Sequence, residues 1–169
     1  ADSVTSAQAS SLAFTFAQYL ERGGFPDVQF DDDQVAVSVL QGYARDTVLR
    51  DIIERYGMSN VTGSLWFATR AIASSGRTLS VTKLAQTAKS LQIPLSRPTM
   101  YDLLARFEDA HMLYRVRDFT RAFSATTSQW KMYVVDPGLF RAMSPAPTRD
   151  VGQALETAVY LDLRRRLRA

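Results

Sequence analysis

The sequence predicts a mainly α-helical protein with a small β-hairpin, built from a helical N-terminal segment, a winged helix-turn-helix and a C-terminal helix. First, apolar residues recur every three or four positions along most of the 169 residues, which is the spacing of amphipathic helices. Second, residues 113–123 and 130–135 are rich in aromatic and β-branched side chains and flank a polar Ser/Thr run, which indicates a hairpin. Third, the elements predicted between residues 63 and 145 have the order of a winged helix-turn-helix: helix, short strand, helix, turn, helix and hairpin.

The N-terminal segment, residues 1–62, is predicted to hold two helices. The first, over 11–22, places four side chains at helical spacing: Leu12, Phe16, Tyr19 and Leu20. Gly23-Gly24 and Pro26 end it, because glycine accepts a left-handed cap and proline cannot continue a helix. A longer helix is expected from Asp31-Asp32-Asp33 to about Tyr56, with an apolar residue at every fourth position: Leu40, Ala44, Val48 and Ile52. Gly57 and Asn60 mark its end.

Residues 63–145 contain the three helices of the predicted winged helix-turn-helix. The first covers 65–74, with Leu65 and Ile72 facing inward, and a short strand over 78–80 follows it. The second covers about 81–91, and its inward face is predicted to hold Val81, Leu84, Ala85, Ala88 and Leu91. The third starts at Ser96 or Arg97, since Pro98 fits a first helical turn. Its apolar stripe is Met100, Leu103, Leu104 and Phe107.

Residues 146–169 are predicted to form a C-terminal helix after a proline-rich linker, with Leu155, Val159 and Leu163 on its apolar stripe. Four arginines crowd its end: Arg164, Arg165, Arg166 and Arg168. They produce the basic balance, since the whole chain carries a formal net charge of +3 whereas the first 163 residues carry −1. Global charge therefore gives no argument for a nucleic-acid partner, and only local patches could.

The composition excludes several classes of protein and site. The absence of cysteine excludes a disulfide scaffold, a thiolate zinc site and a cysteine nucleophile. Because no apolar run reaches 18 residues and the first residues are small and polar, we expect a cytoplasmic protein without a membrane partner. Asp31-Asp32-Asp33 lacks the alternating oxygen ligands of a calcium loop, and His111 is the single histidine, so no metal site is expected.

Five short motifs occur in an order that resembles a known family. They are Gly23–Val28 (GGFPDV), Arg50–Gly57 (RDIIERYG), Phe107–Leu113 (FEDAHML), Tyr133–Leu139 (YVVDPGL) and Gly152–Arg166 (GQALETAVYLDLRRR). Together they resemble the C-terminal region of prokaryotic AAA+ superfamily ATP-binding proteins, a region classed as a domain of unknown function. The resemblance extends over residues 18–166.

The resemblance implies a parent protein in which an ATPase module precedes a helical linker, a winged helix and a restriction-nuclease-like domain. ATP and Mg²⁺ would be cofactors of that parent, and no cofactor is expected in this fragment. The chain contains no phosphate-binding loop of the G-x-x-x-x-G-K-[ST] type. The resemblance makes residues 146–169 the start of a nuclease-like domain that is truncated in this chain. Glu156 falls at its first acidic position, and one carboxylate cannot hold a catalytic metal. We therefore expect no catalytic residue and no enzyme activity in this fragment.

Local charge and exposure suggest that the third helix and the hairpin contact DNA. The side chains expected to reach bases or phosphates are Arg97, Thr99, Tyr101, Arg106, Arg115, Arg117, Arg121 and Lys131. Residues 97–131 include six basic and four acidic side chains, so the patch is only weakly basic. The alternative is an interaction or dimerisation module that packs on the ATPase module without touching DNA. A steep fall of affinity with salt would distinguish DNA binding from apolar packing.

Overall fold

The chain folds into seven α-helices around a three-stranded antiparallel sheet within the ranges 5–30, 32–117, 130–144 and 150–167, which the computed structural model describes. The helices are α1 (Ser6–Arg22), α2 (Asp33–Asp46), α3 (Val61–Ile72), α4 (Val81–Ser90), α5 (Arg97–Asp109), α6 (Pro137–Met143) and α7 (Val151–Arg166). The strands are β1 (Thr78–Leu79), β2 (Leu113–Arg117) and β3 (Trp130–Val134). The predicted class, mainly α with a small hairpin, is confirmed. In the described ranges, no helix combines the length and apolarity needed to cross a bilayer.

The N-terminal helix α1 is exposed over most of its length and contacts α6 and α7. Thr5 caps it through the backbone N–H of Gln8, and every residue from 5 to 18 is exposed. The predicted end at Gly23-Gly24 is confirmed, because Gly23 adopts φ 78° and the chain turns there. The Gly24 N–H donates to Oδ2 of Asp136 at 2.6 Å, which ties the end of α1 to the start of α6. The predicted apolar stripe of α1 is therefore divided: Leu12 and Phe16 are exposed, whereas Tyr19 and Leu20 are half-buried, and Leu20 packs on the core.

The long second helix begins at Asp33, and Asp32 caps it by accepting the backbone N–H of Gln34. It continues without a break as a π-helix over Thr47–Glu54, which the sequence did not predict. The predicted every-fourth apolar stripe is buried along both parts: Leu40, Ala44, Val48 and Ile52. This helix packs against α3, α5 and α6, so it forms one wall of the core.

Helix α3 begins earlier than the sequence suggested. Asn60, expected to end the preceding helix, is instead the N-cap of α3 and accepts the backbone N–H of Gly63 at 2.8 Å. The expected inward residue Leu65 is only half-buried, whereas Phe67 and Ile72 are fully buried. The start at Val61 is explained by this cap, since asparagine satisfies a free N–H at a helix start.

The sheet has the strand order β1-β3-β2, with both pairs antiparallel. Leu113 of β2 lies opposite Val134, and Arg117 lies opposite Trp130. One face of the sheet, represented by Leu113 and Met132, closes the core under the helices. The other face carries Tyr133 and packs against α7. The sheet is therefore a layer between α7 and the helices α3–α5.

The helices α4 and α5 test how well helical periodicity predicts which side chains are buried. The predicted stripe of α5 is confirmed in full, because its four side chains are fully buried: Met100, Leu103, Leu104 and Phe107. The Phe107 ring stacks on that of Phe67 with 6.0 Å between centroids. In α4, Val81 and Ala88 are buried, but Leu91 was wrongly expected to face inward and is 55% exposed. Leu91 follows the last residue of α4, so the helical face no longer determines its direction.

The apolar stripe predicted for α7 is not the face that packs on the rest of the protein. Leu155, Val159 and Leu163 are exposed, and the buried residues are Ala154, Thr157, Ala158 and Leu161. Small side chains bring the helix close enough for Thr157 and Ser75 to join their hydroxyl groups at 2.8 Å. Ser75 also accepts the backbone N–H of Val134, so this contact joins α7 to β3. Periodicity identified an apolar face on α7 but could not tell which face has a neighbour.

Candidate nucleic-acid interface

The start of α5 presents three of the residues expected to contact DNA. Ser96 caps the helix through the N–H of Thr99, and this fixes the direction in which the first turn points. Arg97 and Tyr101, one turn apart, are exposed, and Thr99 is half-buried. Ser96 and Thr99 also share a hydrogen bond of 2.7 Å between their hydroxyl groups. The end of the helix that holds Arg97 is therefore capped and open to solvent.

Two other residues of the expected set make ion pairs within the molecule. Arg106 pairs with Asp109 at 3.3 Å and lies over the ring of Tyr56 with its guanidinium carbon 3.9 Å from the centroid. Arg115 binds Glu108 through its Nε at 2.6 Å, and its backbone N–H donates to the same carboxylate. Both arginines therefore lose part of their capacity to attract phosphates, and two acidic side chains are neutralised at the same time.

The hairpin divides the remaining residues between two faces. Arg117 is exposed at the end of β2, and its guanidinium lies 4.3 Å from the centroid of the Trp130 ring. Lys131, the next residue of β3, points to the opposite face, where it pairs with Glu156 of α7. Arg121 lies outside the described residues. The structure thus brings together Arg97, Thr99 and Tyr101, and it directs Lys131 toward α7.

A long stretch without acidic residues is a further signal, which a charge count over residues 97–131 does not reveal. Between Glu54 and Asp102 the chain contains no Asp or Glu but six basic residues: Arg55, Arg70, Arg77, Lys83, Lys89 and Arg97. In the described part of the chain, no ion pair involves Lys83, Lys89 or Arg97, and all three are exposed. A count of charges over each predicted helix would have found this signal, whereas counting over 97–131 excluded α4.

Glu156, the acid assigned by resemblance to a nuclease-like site, belongs to a polar cluster on the outer face of the sheet. It accepts the hydroxyl hydrogen of Tyr133 at 2.7 Å and pairs with Lys131. Burial raises the pKa of this carboxyl group, but the hydrogen bonds from Lys131 and Tyr133 outweigh that effect and hold the pKa below its ordinary value. Among the described residues, no three His, Asp or Glu side chains converge as a metal site would require.

The aromatic side chains beside Glu156 fix α7 on the sheet. The rings of Tyr133 and Tyr160 stack with 4.0 Å between centroids, and Tyr114 lies 6.0 Å from Tyr160. Burial, the Glu156 hydrogen bond and the Glu156 charge together raise the pKa of Tyr133 well above its ordinary value, so its hydroxyl stays protonated as a donor. This arrangement holds Glu156 as a hydrogen-bond acceptor within the fold.

The arginine-rich end of α7 is partly engaged by the body of the protein. The guanidinium of Arg164 lies 3.8 Å from the centroid of the Tyr114 ring, and Arg166 pairs with Asp162 at 2.8 Å. The positive charge of Arg165 acts on Tyr19 and Asp136. Burial raises the pKa of Asp136, whereas hydrogen bonds from three backbone N–H groups and the charge of Arg165 lower it. Arg168 lies outside the described residues. The tail is thus less available to phosphates than its sequence suggests.

Comparison of this sequence with known proteins identifies its family. A family model with the description Domain of unknown function (DUF8612) matches residues 13–150. An uncharacterized protein of Methanocaldococcus jannaschii is 29% identical over 150 residues, which are 88% of this chain and 33% of that protein. An uncharacterized protein of Haemophilus influenzae is 28% identical over 153 residues, which are 89% of this chain and 38% of that protein.

The chain therefore spans between a third and two fifths of the length of the curated relatives it matches. No solved structure matches it. Since the family model extends over most of the chain, from within α1 to the residue that precedes α7, the protein belongs to the family described as Domain of unknown function (DUF8612).

Proposed function

We propose that residues 61–134 form a winged helix-turn-helix that binds duplex DNA through α4 and the first turn of α5. The observation that carries this proposal is the acid-free stretch between Glu54 and Asp102, which presents Lys83, Lys89 and Arg97 to solvent. A duplex attracts protein mainly through its phosphates, and exposed basic side chains without a partner supply that attraction.

The order of elements supports the same proposal. The elements of this region follow one another in the order α3, β1, α4, α5, β2 and β3. β1 joins the sheet beside β3, as a winged helix-turn-helix requires. In helix-turn-helix proteins the first residues of the second helix of the motif meet base edges in the major groove. Arg97 and Tyr101 occupy that part of α5, and the Ser96 cap holds them in place.

The ion pairs of the folded protein leave this region more favourable for DNA binding than a count of its charges in the sequence suggests. Between residues 80 and 117 there are six basic and three acidic side chains. Two of the acids, Glu108 and Asp109, already pair with Arg115 and Arg106. Asp102 is then the one described acid of α4–β2 that no ion pair neutralises, and it will oppose phosphates nearby. We therefore expect weak binding, with a Kd of about 10⁻⁴ to 10⁻⁶ M for a random duplex at physiological salt.

Arg117 extends the proposed surface to the hairpin. Its guanidinium rests on Trp130, which restricts the side chain near the hairpin end without neutralising the charge. Such an arginine can contact phosphates beside the groove that α5 enters. Arg106 and Arg115 then act as positioning residues for α5 and β2 rather than as main DNA contacts.

For the longer parent protein we propose, from the family resemblance, that an ATPase module using ATP and Mg²⁺ precedes this region and that the whole acts in the cytoplasm. The winged helix would bring that module to DNA. A second candidate function is an interaction module that packs on the ATPase module or on a sister copy. The exposed apolar residues of α7 favour that second function, because they lie apart from the basic surface.

The experiment that tests DNA binding measures fluorescence anisotropy of a labelled duplex across a range of salt concentrations. The triple variant Lys83→Ala/Lys89→Ala/Arg97→Ala should bind more weakly. It should also reduce the slope of log Kd against log salt by up to about three units, since each phosphate contact contributes about 0.9. The wild-type slope sets the number of phosphate contacts.

A matched control removes basic side chains elsewhere. Arg45 and Arg50 are exposed on α2 and the π-helix, and the double variant Arg45→Ala/Arg50→Ala should leave the slope unchanged. A double variant of Arg165 and Arg166 measures the contribution of the tail. If the wild-type protein shows no salt-dependent binding, or if only the tail variant loses it, the proposed DNA surface is wrong.

A further inference from the structure

Asp102 carries an exposed carboxylate that makes no ion pair in the described part of the chain. It lies in the second turn of α5, so it does not cap the helix, and it lies beyond the first turn, where an acid favours the helix dipole. Arg106, four residues later, would be its ordinary ion-pair partner on a helix. The guanidinium of Arg106 instead lies over Tyr56 and binds Asp109. The contacts of the fold therefore assign no role to Asp102.

The position of Asp102 is unusual for an acid, because it lies within the surface that we propose for DNA. The exposed side of α5 also carries Arg97 and Tyr101, and the preceding acid-free stretch supplies Lys83 and Lys89 on α4. A carboxylate at this place repels phosphates and weakens binding to the backbone of any duplex. Only a hydrogen-bond donor can offset that repulsion, and the donors that the major groove presents belong to bases.

The neighbours of Asp102 allow α5 to approach the edges of the bases closely. An aspartate side chain is short, so its carboxylate reaches a base only where no bulky neighbour holds the helix away. On the exposed side of α5 the residues one turn before and one turn after it are Pro98 and Ala105, which are small and uncharged. Arg106 rests on the Tyr56 ring, with 3.9 Å between its guanidinium carbon and the centroid. The exposed side of α5 therefore carries little side-chain bulk around Asp102.

We propose, on the basis of the DNA-binding function above, that Asp102 selects a cytosine in the major groove and accepts a hydrogen bond from its N4 amino group. Guanine and thymine present acceptor atoms at this edge, and these repel a carboxylate. Adenine presents an amino group beside the acceptor N7, so only part of its edge is favourable. Cytosine presents an amino group without an adjacent acceptor, and it is the base that acidic side chains recognise.

The test is a selection with the full 169-residue chain from a pool of duplexes that have a randomised central segment. Fluorescence anisotropy then measures the recovered duplex and versions of it altered at one base pair. The wild-type chain should recover a site with a C·G pair at one position. Replacing that pair should weaken binding by about fivefold to a hundredfold, the range for one specific base contact.

Asp102→Asn is the decisive variant, because asparagine has nearly the same size and is the side chain that pairs with adenine. It should recover adenine in place of cytosine at that position, and Asp102→Ala should recover no preference there. The matched control is Asp51→Asn, which removes an exposed acid from the π-helix and should recover the wild-type site. Circular dichroism should show that all three variants keep the wild-type helix content, since both positions are exposed.

The outcomes separate this base contact from the proposed DNA binding. If the wild-type chain binds no duplex, both are wrong. If it binds duplexes but recovers no site, or if the Asp102 variants recover the wild-type site, the base contact is wrong and DNA binding stands. An Asp102→Ala variant that binds every duplex more tightly by the same factor also overturns the base contact, because the carboxylate would then act through repulsion alone.

Discussion

Replacing Phe107 with alanine tests the core beneath the proposed DNA surface. Phe107 is fully buried and stacks on Phe67, with ring centroids 6.0 Å apart and planes 26° from parallel. α5 packs at this point against α3 and the π-helix Thr47–Glu54. The ring thus joins the helix that carries Arg97 to two walls of the core.

The expected loss follows from this burial. Deleting a fully buried phenylalanine ring costs about 3–5 kcal/mol of unfolding free energy, because the apolar transfer energy is lost and a cavity remains. For a chain of this size, 1 kcal/mol shifts Tm by about 2–4 °C, so Tm should fall by roughly 6–20 °C. The contact with Phe67 supplies part of this, about 0.5–1.5 kcal/mol for an aromatic pair.

The assay is urea unfolding followed by far-ultraviolet circular dichroism, with the slope of free energy against urea compared between variants. Phe14→Ala is the control, because Phe14 is 66% exposed on α1, and its loss should stay within about 0.5 kcal/mol. A double-mutant cycle with Phe67→Ala should return a coupling energy of at least about 0.5 kcal/mol.

Two results would refute this reasoning. A loss below about 1 kcal/mol for Phe107→Ala, the size of an ordinary surface change, would show that the inward face of α5 is misassigned. Additive effects of the two phenylalanine variants would show that the rings do not share one site. With the first result, Arg97 and Tyr101 would no longer be expected on the outer face of α5.

The remaining predictions concern Glu156 and two glycines. Glu156→Gln should lower the free energy of unfolding at pH 7 by less than about 1 kcal/mol, since the pair is partly exposed. Because its folded-state pKa is lowered, this contribution should disappear as pH falls through that pKa, as urea unfolding at several pH values can show. Gly23→Ala should cost at least about 1–2 kcal/mol, because φ is 78° and the new Cβ would overlap the Asp136 carboxylate. Gly42→Ala, with open space around it inside α2, should instead stabilise by about 0.5–1 kcal/mol. The chain should neither hydrolyse ATP nor cut DNA with Mg²⁺, and turnover that Glu156→Ala abolishes would contradict the assignment of Glu156 to the fold.

Helical periodicity predicted those parts of the fold in which an apolar face meets another element. The α5 stripe from Met100 to Phe107 is buried as expected, because every residue of it belongs to one face. On α7 the same reasoning selected Leu155, Val159 and Leu163, although the packed face consists of smaller residues. Periodicity finds apolar faces, but the buried face of α7 contains small side chains such as Ala154 and Ala158, which a hydrophobic pattern ranks low.

The candidate site was predictable only where it depends on local sequence. Arg97 and Tyr101 lie one turn apart and outside the α5 stripe, so their exposure follows from helix geometry. The ion pairs of Arg115 with Glu108 and of Lys131 with Glu156 join different elements, and periodicity holds no information on them. The acid-free stretch can be read from the sequence, but it predicts a basic surface only when α4 and α5 are considered together.

The strand order β1-β3-β2 has a consequence for folding during synthesis. Thr78 and Leu79 pair with residues 130–131, so β1 leaves the ribosome about fifty residues before its partner. The Phe67–Phe107 contact can form by then, but the sheet that closes the core beneath it cannot. Non-local strand pairing is slow because a long loop must close first. The emerging chain therefore exposes the underside of α3 and α5 until β3 appears, and that interval is the one in which it most needs protection from aggregation.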